Sequence, residues 1–166
     1  IITSYSTFTR LQNILLTLPH VVLIRKNAWK TGGSKMFIEV GKKVKVEQLL
    51  RGIITTSGND ASVAMAEHIS GNEQTFAIYM NQMADSLGMS NTNYANSTGL
   101  PNENLYTTAR DISVLARALI KNFPREYKLY SEKEYVFNEI KQYSRNKLLY
   151  LDDSVDGIKT GFTKKA

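Results

Sequence analysis

Two short motifs, Ser57-Gly58-Asn59 and Lys159-Thr160-Gly161, carry the residues of this sequence that are best suited to chemistry. They lie about a hundred residues apart and offer a hydroxyl, an amide and an amine. Where both motifs follow an S-x-x-K motif, the chemistry they serve is serine acyl transfer. Each motif alone is weak, because Asp60 begins an apolar-periodic segment and the serine could simply shape a helix start. A lone K-T-G could likewise be a solvated lysine before a turn.

The segments that surround both motifs resemble one known family. In chain order they read LLRGIITTSGNDASVAMAEHISG, MNQMADSLGMSNTNYANSTGL, TTARDISVLARALI and VDGIKTGFTKKA. They are similar to low-molecular-weight penicillin-binding proteins, specifically the D-alanyl-D-alanine carboxypeptidases of the penicillin-binding-protein 5/6 type. The resemblance covers nearly the whole chain without large gaps. It implies a serine-type carboxypeptidase that removes the terminal D-Ala from peptidoglycan stem peptides and that β-lactams inhibit.

The resemblance implies roles for the polar side chains of both motifs. Ser57 would relay a proton to the leaving D-Ala amine, and Asn59 would hydrogen-bond the substrate amide and the lysine beside the nucleophile. The substrate ends in a free carboxylate, which Lys159 would hold by its charge and Thr160 by its hydroxyl. We therefore expect the Ser57 hydroxyl to lie within a few ångströms of the Lys159 amine.

Three further residues are expected at the substrate cleft by the same resemblance. Gly161 would let the substrate backbone approach closely. The N–H of Phe162 would be the second oxyanion-hole donor, and such a donor is worth roughly 3–4 kcal/mol. Arg145 matches a family arginine near the carboxylate end of the cleft, although a solvated arginine at a strand break explains it equally well.

The S-x-x-K motif of the family does not occur before S-x-N. The only match is Ser144-Arg-Asn-Lys147, which we interpret as chance because Ser and Lys need a helical turn to meet at i and i+3. The opening IITSY resembles the residues that follow the nucleophile-side lysine. We therefore expect a domain that is incomplete at both ends, with Lys directly before Ile1 and Ser three residues earlier. Alone, residues 1–166 would be inactive.

Composition limits the remaining classes of function. The 166 residues fit one domain, with 42% hydrophobic and 22% charged residues. The net charge is +6, but no nucleic-acid motif accompanies the densest basic cluster at residues 41–47, so we expect no nucleic-acid partner. Cysteine is absent, the two histidines are far apart in sequence and no phosphate-binding glycine loop occurs, so we expect neither metal nor cofactor.

No apolar run approaches the ~18 residues of a membrane span. The resemblance implies membrane association only through a C-terminal anchor outside this chain, and a location in the cell envelope, at the outer face of the cytoplasmic membrane or in the periplasm. Two alternatives stay open. A class A β-lactamase would need E-x-x-L-N, but the nearest match is Glu126-Tyr-Lys-Leu129-Tyr130. A non-catalytic peptidoglycan-binding module would keep the groove without the nucleophile.

The periodicity of apolar residues predicts the elements that position these motifs. Helices are predicted over residues 1–18, 47–56, 61–69, 76–87 and from a capping box at Thr108 and Asp111 to near Pro124. Strands are predicted over residues 36–40, 44–46, 135–150 with a break at 144–146, and 155–163, and residues 91–104 read as a loop. The fold class is therefore α+β, a DD-peptidase or β-lactamase-like helical cluster against an antiparallel sheet.

Overall fold

The computed structural model describes residues 1–161, which form eight α-helices and four short strands. The first half contains α1 (Ile2–Gln12), β1 (Val21–Leu23), α2 (Lys26–Lys30), β2 (Lys43–Lys45), α3 (Val46–Ile54), α4 (Asn59–Ser70) and α5 (Glu73–Ser86). The second half contains α6 (Ala109–Asn122), α7 (Pro124–Tyr127), a 3₁₀ turn (Lys128–Ser131), β3 (Glu134–Phe137), β4 (Ile140–Tyr143) and α8 (Leu148–Leu151). The α+β prediction is confirmed, with the strands in two separate antiparallel pairs, β1–β2 and β3–β4.

Helix α4 lies at the centre of the fold. It is buried along its length from Asn59 to Glu67, because its many small residues let α2, α3 and α5 approach closely. The core around it is closed by large apolar side chains that are almost fully buried, namely Phe8, Leu49, Leu50, Met65, Phe76, Met80, Leu115 and Leu119. This packing fixes the position of the S-x-N motif, because Asn59 is the first residue of α4.

The predicted strand over residues 36–40 is wrong. Strand β2 pairs with β1 instead, and residues 36–38 lie outside both sheets. The physical reason is that the backbone N–H groups of Met36, Phe37 and Ile38 donate to the carboxylate of Asp60. Those donors are therefore not available to a neighbouring strand.

The C-terminal strand predictions are only partly right. Residues 134–143 form the β3–β4 hairpin around Asn138 and Glu139, whose φ angles of 48° and 62° suit a tight hairpin turn. Residues 148–151, predicted as strand, form the short helix α8, because a four-residue apolar run does not distinguish the two structures. Residues 155–161 belong to no strand ladder in the part of the chain described, and residues 162–163 lie outside it.

The helix start predicted at Thr108 is confirmed in part. The Thr108 hydroxyl accepts a hydrogen bond from the backbone N–H of Asp111 at 3.1 Å. The Asp111 carboxylate does not complete the box. It accepts from the backbone N–H of Asn91 and the hydroxyl of Thr92, at 2.9 and 2.7 Å, and so holds the predicted loop against α6. Among residues 1–161, no helix is both long and apolar enough to cross a bilayer.

Candidate active site

Ser57 occupies a strained turn between α3 and α4. Its backbone has a φ of 58°, a conformation that costs a serine about 1–3 kcal/mol and that often marks functional sites. The turn is closed by a hydrogen bond from the Gly58 N–H to the Gly52 carbonyl at 2.9 Å. A Cβ at Gly58 would lie 3.0 Å from Asp60 Oδ1 and 3.2 Å from Met36, so a side chain there would require its neighbours to shift. The Ser57 side chain is half-buried and finds no hydrogen-bond partner within residues 1–161.

Asn59 is oriented by the loop that follows α2. Its backbone N–H donates to the Ser34 carbonyl at 2.8 Å, and its side-chain Nδ2 donates to the Gly32 carbonyl at 2.9 Å. The residue is buried, and its Oδ1 has no donor among residues 1–161. The amide is thus fixed with its accepting oxygen available, which is the atom that a substrate N–H or a lysine amine would use.

Asp60 also fixes the segment that follows α2, a few residues further along the chain than the contacts of Asn59. Its carboxylate, almost fully buried, accepts backbone N–H groups from Met36 at 2.8 Å, Phe37 at 3.0 Å and Ile38 at 3.3 Å. It also accepts the N–H of Ala61 at 2.9 Å, in the first turn of α4, where the helix dipole favours a negative charge. The sequence indicated Asp60 only as a helix start, and no local signal pointed to residues 36–38.

Lys159 and Arg145 are brought together by the structure. Lys159 is half-buried, and burial together with the charge of Arg145 lowers its pKa to about 8. Its Nζ donates to the Thr160 carbonyl at 3.0 Å. Lys159 also lies within electrostatic range of the backbone nitrogen of Ile1. The K-T-G lysine therefore stands beside the first turn of α1.

The segment that leads to Lys159 is held by side chains from two other elements. The Tyr127 hydroxyl, at the end of α7, donates to Asp156 Oδ1 at 2.8 Å. Burial, and then this contact with Asp156, raises the pKa of Tyr127 to about 12. Asn146 Nδ2 donates to the Gly157 carbonyl at 3.3 Å. These two hydrogen bonds were not predicted, because no motif or periodicity in the sequence connects the residues that form them.

A buried pair of hydroxyls ties the start of α1 to the same region. Ser4 Oγ and Tyr130 OH lie 2.5 Å apart, and the Tyr130 ring stacks on that of Tyr127 with centroids 5.7 Å apart. Burial raises the pKa of Tyr130 well above its ordinary value. Tyr130 also occupies the place where the β-lactamase motif would need its asparagine, so that alternative finds no support here.

The other predicted site residues are placed as follows. Thr160 and Gly161 are exposed, and a Cβ added at Gly161 would meet no atom of the described part of the chain within 4 Å. Phe162 lies outside the described residues. The hydrogen bond of the Lys159 ammonium goes to Thr160, so the predicted approach of Ser57 to Lys159 stays a prediction.

The residues of the S-R-N-K match do not form a helical turn. Ser144 and Lys147 lie in the connection between β4 and α8, and the Ser144 hydroxyl accepts the backbone N–H of Asn146 at 3.3 Å. Their side chains are therefore not paired as an S-x-x-K motif requires. This placement agrees with the interpretation of the match as chance.

The two histidines are closer than their sequence positions indicate. The rings of His20 and His68 meet edge to face, with centroids 6.4 Å apart. Partial burial, then His20 and then Arg25 lower the pKa of His68. Within residues 1–161, no group of three or more His, Cys, Asp or Glu side chains is arranged to hold a metal ion.

Comparison with known proteins identifies relatives of this chain. The chain is 43% identical over 168 residues to the D-alanyl-D-alanine carboxypeptidase DacA of Haemophilus influenzae, covering 99% of this chain and 43% of that protein. It is 46% identical over 154 residues to DacA of Escherichia coli K12, covering 88% and 38%. The chain thus spans less than half the length of these relatives.

Solved structures give the same result. Penicillin binding protein 5 from Haemophilus influenzae superposes with a TM-score of 0.95 at 42% identity, over 99% of this chain and 49% of that one. Penicillin binding protein 6B from Escherichia coli superposes with a TM-score of 0.93 at 36% identity, over 98% and 53%. The family model described as D-alanyl-D-alanine carboxypeptidase matches residues 1–166. The chain therefore belongs to the D-alanyl-D-alanine carboxypeptidase family.

Proposed function

We propose that the natural protein containing this chain is a serine-type carboxypeptidase of the cell envelope, which removes the terminal D-Ala from peptidoglycan stem peptides. The observation that carries the proposal is Lys159, a half-buried cation with a pKa of about 8 beside Arg145. A cation near the start of α1, within electrostatic range of Arg145, suits a substrate that ends in a carboxylate. In this proposal residues 1–166 supply the S-x-N and K-T-G sides of the cleft.

In the proposed reaction a serine attacks the carbonyl of the D-Ala–D-Ala bond, and the terminal D-Ala leaves with a proton on its amine. Ser57 relays that proton, and Asn59 Oδ1 accepts the substrate amide N–H. Lys159 and Arg145 bind the terminal carboxylate with Thr160. The N–H of Phe162 supplies the oxyanion-hole donor, worth roughly 3–4 kcal/mol. β-Lactams would react with the same nucleophile.

The test measures D-Ala release from diacetyl-L-Lys-D-Ala-D-Ala by the natural protein. We expect Ser57→Ala to lower kcat by about 10²–10⁴ with little change in KM, because proton transfer acts in the transition state. Arg145→Gln should mainly raise KM, because it weakens carboxylate binding. Lys128→Gln, at an exposed lysine, is the matched control for loss of a cation. Unchanged D-Ala release by Ser57→Ala would exclude the proposed role.

The second candidate is a non-catalytic peptidoglycan-binding module, which would keep the S-x-N and K-T-G sides of the cleft without a nucleophile. A fluorescent penicillin separates the two candidates. Residues 1–166 alone should remain unlabelled, while the natural protein should be labelled at one serine. A natural protein that binds the peptide yet shows neither labelling nor D-Ala release would be a binding module. Labelling of Ser144 in residues 1–166 would contradict the chance interpretation.

A further inference from the structure

Two buried tyrosines connect α1 with the residues that precede the K-T-G lysine. Tyr127 ends α7 and Tyr130 belongs to the 3₁₀ turn, and their rings stack at an interplanar angle of 27° with centroids 5.7 Å apart. The Tyr130 hydroxyl bonds that of Ser4 in α1. The Tyr127 hydroxyl donates to Asp156, three residues before Lys159. The stack is therefore attached to α1 at one hydroxyl and to the K-T-G segment at the other.

Gly157 lets the backbone of this segment approach the stacked rings. A Cβ built there would lie 2.9 Å from the Tyr127 hydroxyl oxygen and 3.2 Å from Tyr130 Cβ, so a side chain would require its neighbours to shift. Glycine permits such close approach of a backbone to another group. Asp156 and Gly157, two consecutive residues, are thus located against the same pair of tyrosines.

The segment has a second attachment beside the first. Asn146 Nδ2 donates to the Gly157 carbonyl at 3.3 Å. Within residues 1–161, the hydrogen bonds from Tyr127 and Asn146 are the two that join residues 156–160 to other elements. Both end at the start of the segment, and Lys159 follows within about 10 Å of extended chain. The position of Lys159 therefore depends on where this start is held.

The contact made by Tyr127 is the stronger of the two. A hydroxyl that donates to an ionised carboxylate forms a charge-assisted hydrogen bond, roughly twice as strong as a neutral one. Its length of 2.8 Å is also shorter than the 3.3 Å of the Asn146 contact. Tyr127 is 8% exposed, so packing fixes its hydroxyl, whereas Asp156 is exposed. The buried tyrosine therefore sets the place of the exposed aspartate.

We propose that Tyr127 is a positioning residue for the K-T-G motif, which through Asp156 holds Lys159 where it can bind the terminal carboxylate of the substrate. Tyr127 itself does not touch the substrate. The inference rests on the proposed carboxypeptidase function and adds to it a residue that lies in neither motif. A merely structural role for Tyr127 would lower stability without a selective effect on carboxylate binding.

The first test measures D-Ala release from diacetyl-L-Lys-D-Ala-D-Ala by the natural protein. Tyr127→Phe should raise KM by roughly tenfold with little change in kcat, because it displaces the lysine that binds the carboxylate and leaves the proton relay in place. Tyr135→Phe is the matched control, since it removes a buried hydroxyl that has no hydrogen-bond partner within residues 1–161. An unchanged KM in Tyr127→Phe, or an equal rise in the control, would overturn the proposal.

Variants of the acceptor test whether Tyr127 acts through Asp156. Asp156→Ala should raise KM as Tyr127→Phe does, whereas Asp156→Asn keeps a side-chain oxygen that can accept the hydroxyl and should retain nearly the parent KM. Tyr127→Phe combined with Asp156→Ala should add nothing to either single change, because both remove the same hydrogen bond. Additive effects would show that the two residues act separately, and would contradict the inference.

A readout without turnover separates this inference from the proposed function. In the natural protein, the ¹³C shift of Lys159 Cε should titrate at a higher midpoint in Tyr127→Phe than in the parent, because a released segment exposes the lysine to water. Asp156→Asn should keep the parent midpoint. A protein that shows this pattern but releases no D-Ala would refute the proposed function and support the link from Tyr127 to Lys159. An active protein whose KM and Lys159 midpoint ignore Tyr127→Phe would refute the inference alone.

Discussion

Arg145 lies close enough to Lys159 for its charge to lower a lysine pKa that burial has already reduced. The two side chains come from segments that share no strand pairing in residues 1–161, and both carry positive charge. Lys159 is half-buried and Arg145 is exposed, and their like charges repel each other, an effect that a negative ligand would offset. We therefore expect the pair to favour an anionic ligand.

The pKa of Lys159 is the first quantity to measure. In the chain, the ¹³C shift of its Cε should titrate with a midpoint of about 8, against 10.5 for an ordinary lysine. Arg145→Gln should raise that midpoint, but not to 10.5, because burial is the larger cause. Lys147→Gln, which removes a neighbouring cation, should leave it unchanged. A midpoint near 10.5 in the unmodified chain would show that Lys159 is not buried as described.

The lowered pKa of Lys159 also makes the stability of the fold depend on pH. The folded pKa lies below the unfolded one, so the unfolded chain binds more protons between about pH 8 and 10.5. The Lys159 contribution therefore makes the free energy of unfolding rise with pH across that window. Comparing Lys159→Met with the parent by urea unfolding isolates this contribution.

Asp60→Ala should be strongly destabilising. The change leaves the backbone N–H groups of Met36, Phe37 and Ile38 buried or half-buried without their acceptor, and we expect a loss of about 3–5 kcal/mol in the free energy of unfolding. Asp85→Ala, at an exposed aspartate on α5, should change it by less than about 0.5 kcal/mol. Urea unfolding measures both variants. Equal losses in the free energy of unfolding would show that the hydrogen bonds accepted by Asp60 do not stabilise the fold.

Alanine substitutions at three glycines distinguish the cost of a positive φ from the cost of a steric clash. Gly33 has a φ of 79°, and a side chain there would lie 2.5 Å from Asn59 Nδ2. Gly41 has a φ of 77° in open space, and Gly32 has open space and no positive φ. We expect losses on substitution by Ala of about 2–4 kcal/mol at Gly33, about 1 kcal/mol at Gly41 and nearly none at Gly32. Thermal unfolding checks this order, and equal effects at Gly33 and Gly41 would exclude the clash with Asn59.

His68 should make the fold sensitive to acid. Its folded pKa lies below the ordinary 6.5, so its contribution to stability is complete above pH 6.5 and is lost as the pH falls through the folded pKa. His68→Gln should lose less stability than the parent on acidification below pH 6.5, as measured by urea unfolding at several pH values. His20→Gln should raise the pKa of His68, because the charge of His20 is one of its causes. Parallel pH profiles for the parent and His68→Gln would refute this account.

The sequence predicted the helical half of the fold well. Apolar spacing located α3, α4, α5 and α6, because each of these helices buries one face or more against the same core. It also placed Asn59 at the start of α4 and Ser57 in the turn that precedes it. The strands were harder to predict, because a short apolar run fits a strand, an extended loop or a helical turn until its neighbours are known.

Parts of the candidate site could not be predicted from local sequence. The contacts of Asp60 with residues 36–38, and of Tyr127 with Asp156, join residues 22–29 positions apart. Neither pair has a periodic or motif signal. Family resemblance alone suggested that Arg145 lies near the carboxylate end of the cleft, with a solvated arginine as the equal alternative. The pKa of Lys159 depends on burial that only a three-dimensional structure shows.

The carboxylate of Asp60 has an effect beyond the site itself. Residues 36–38 are Met, Phe and Ile, an apolar segment of the kind that readily extends a sheet, and Phe37 is 48% exposed. A free row of N–H groups on such a segment would be a template for pairing with another chain. Because Asp60 already accepts all three N–H groups, the segment cannot offer them to a second molecule. The residue that shapes the S-x-N loop thus also occupies three backbone donors that edge-to-edge pairing would need.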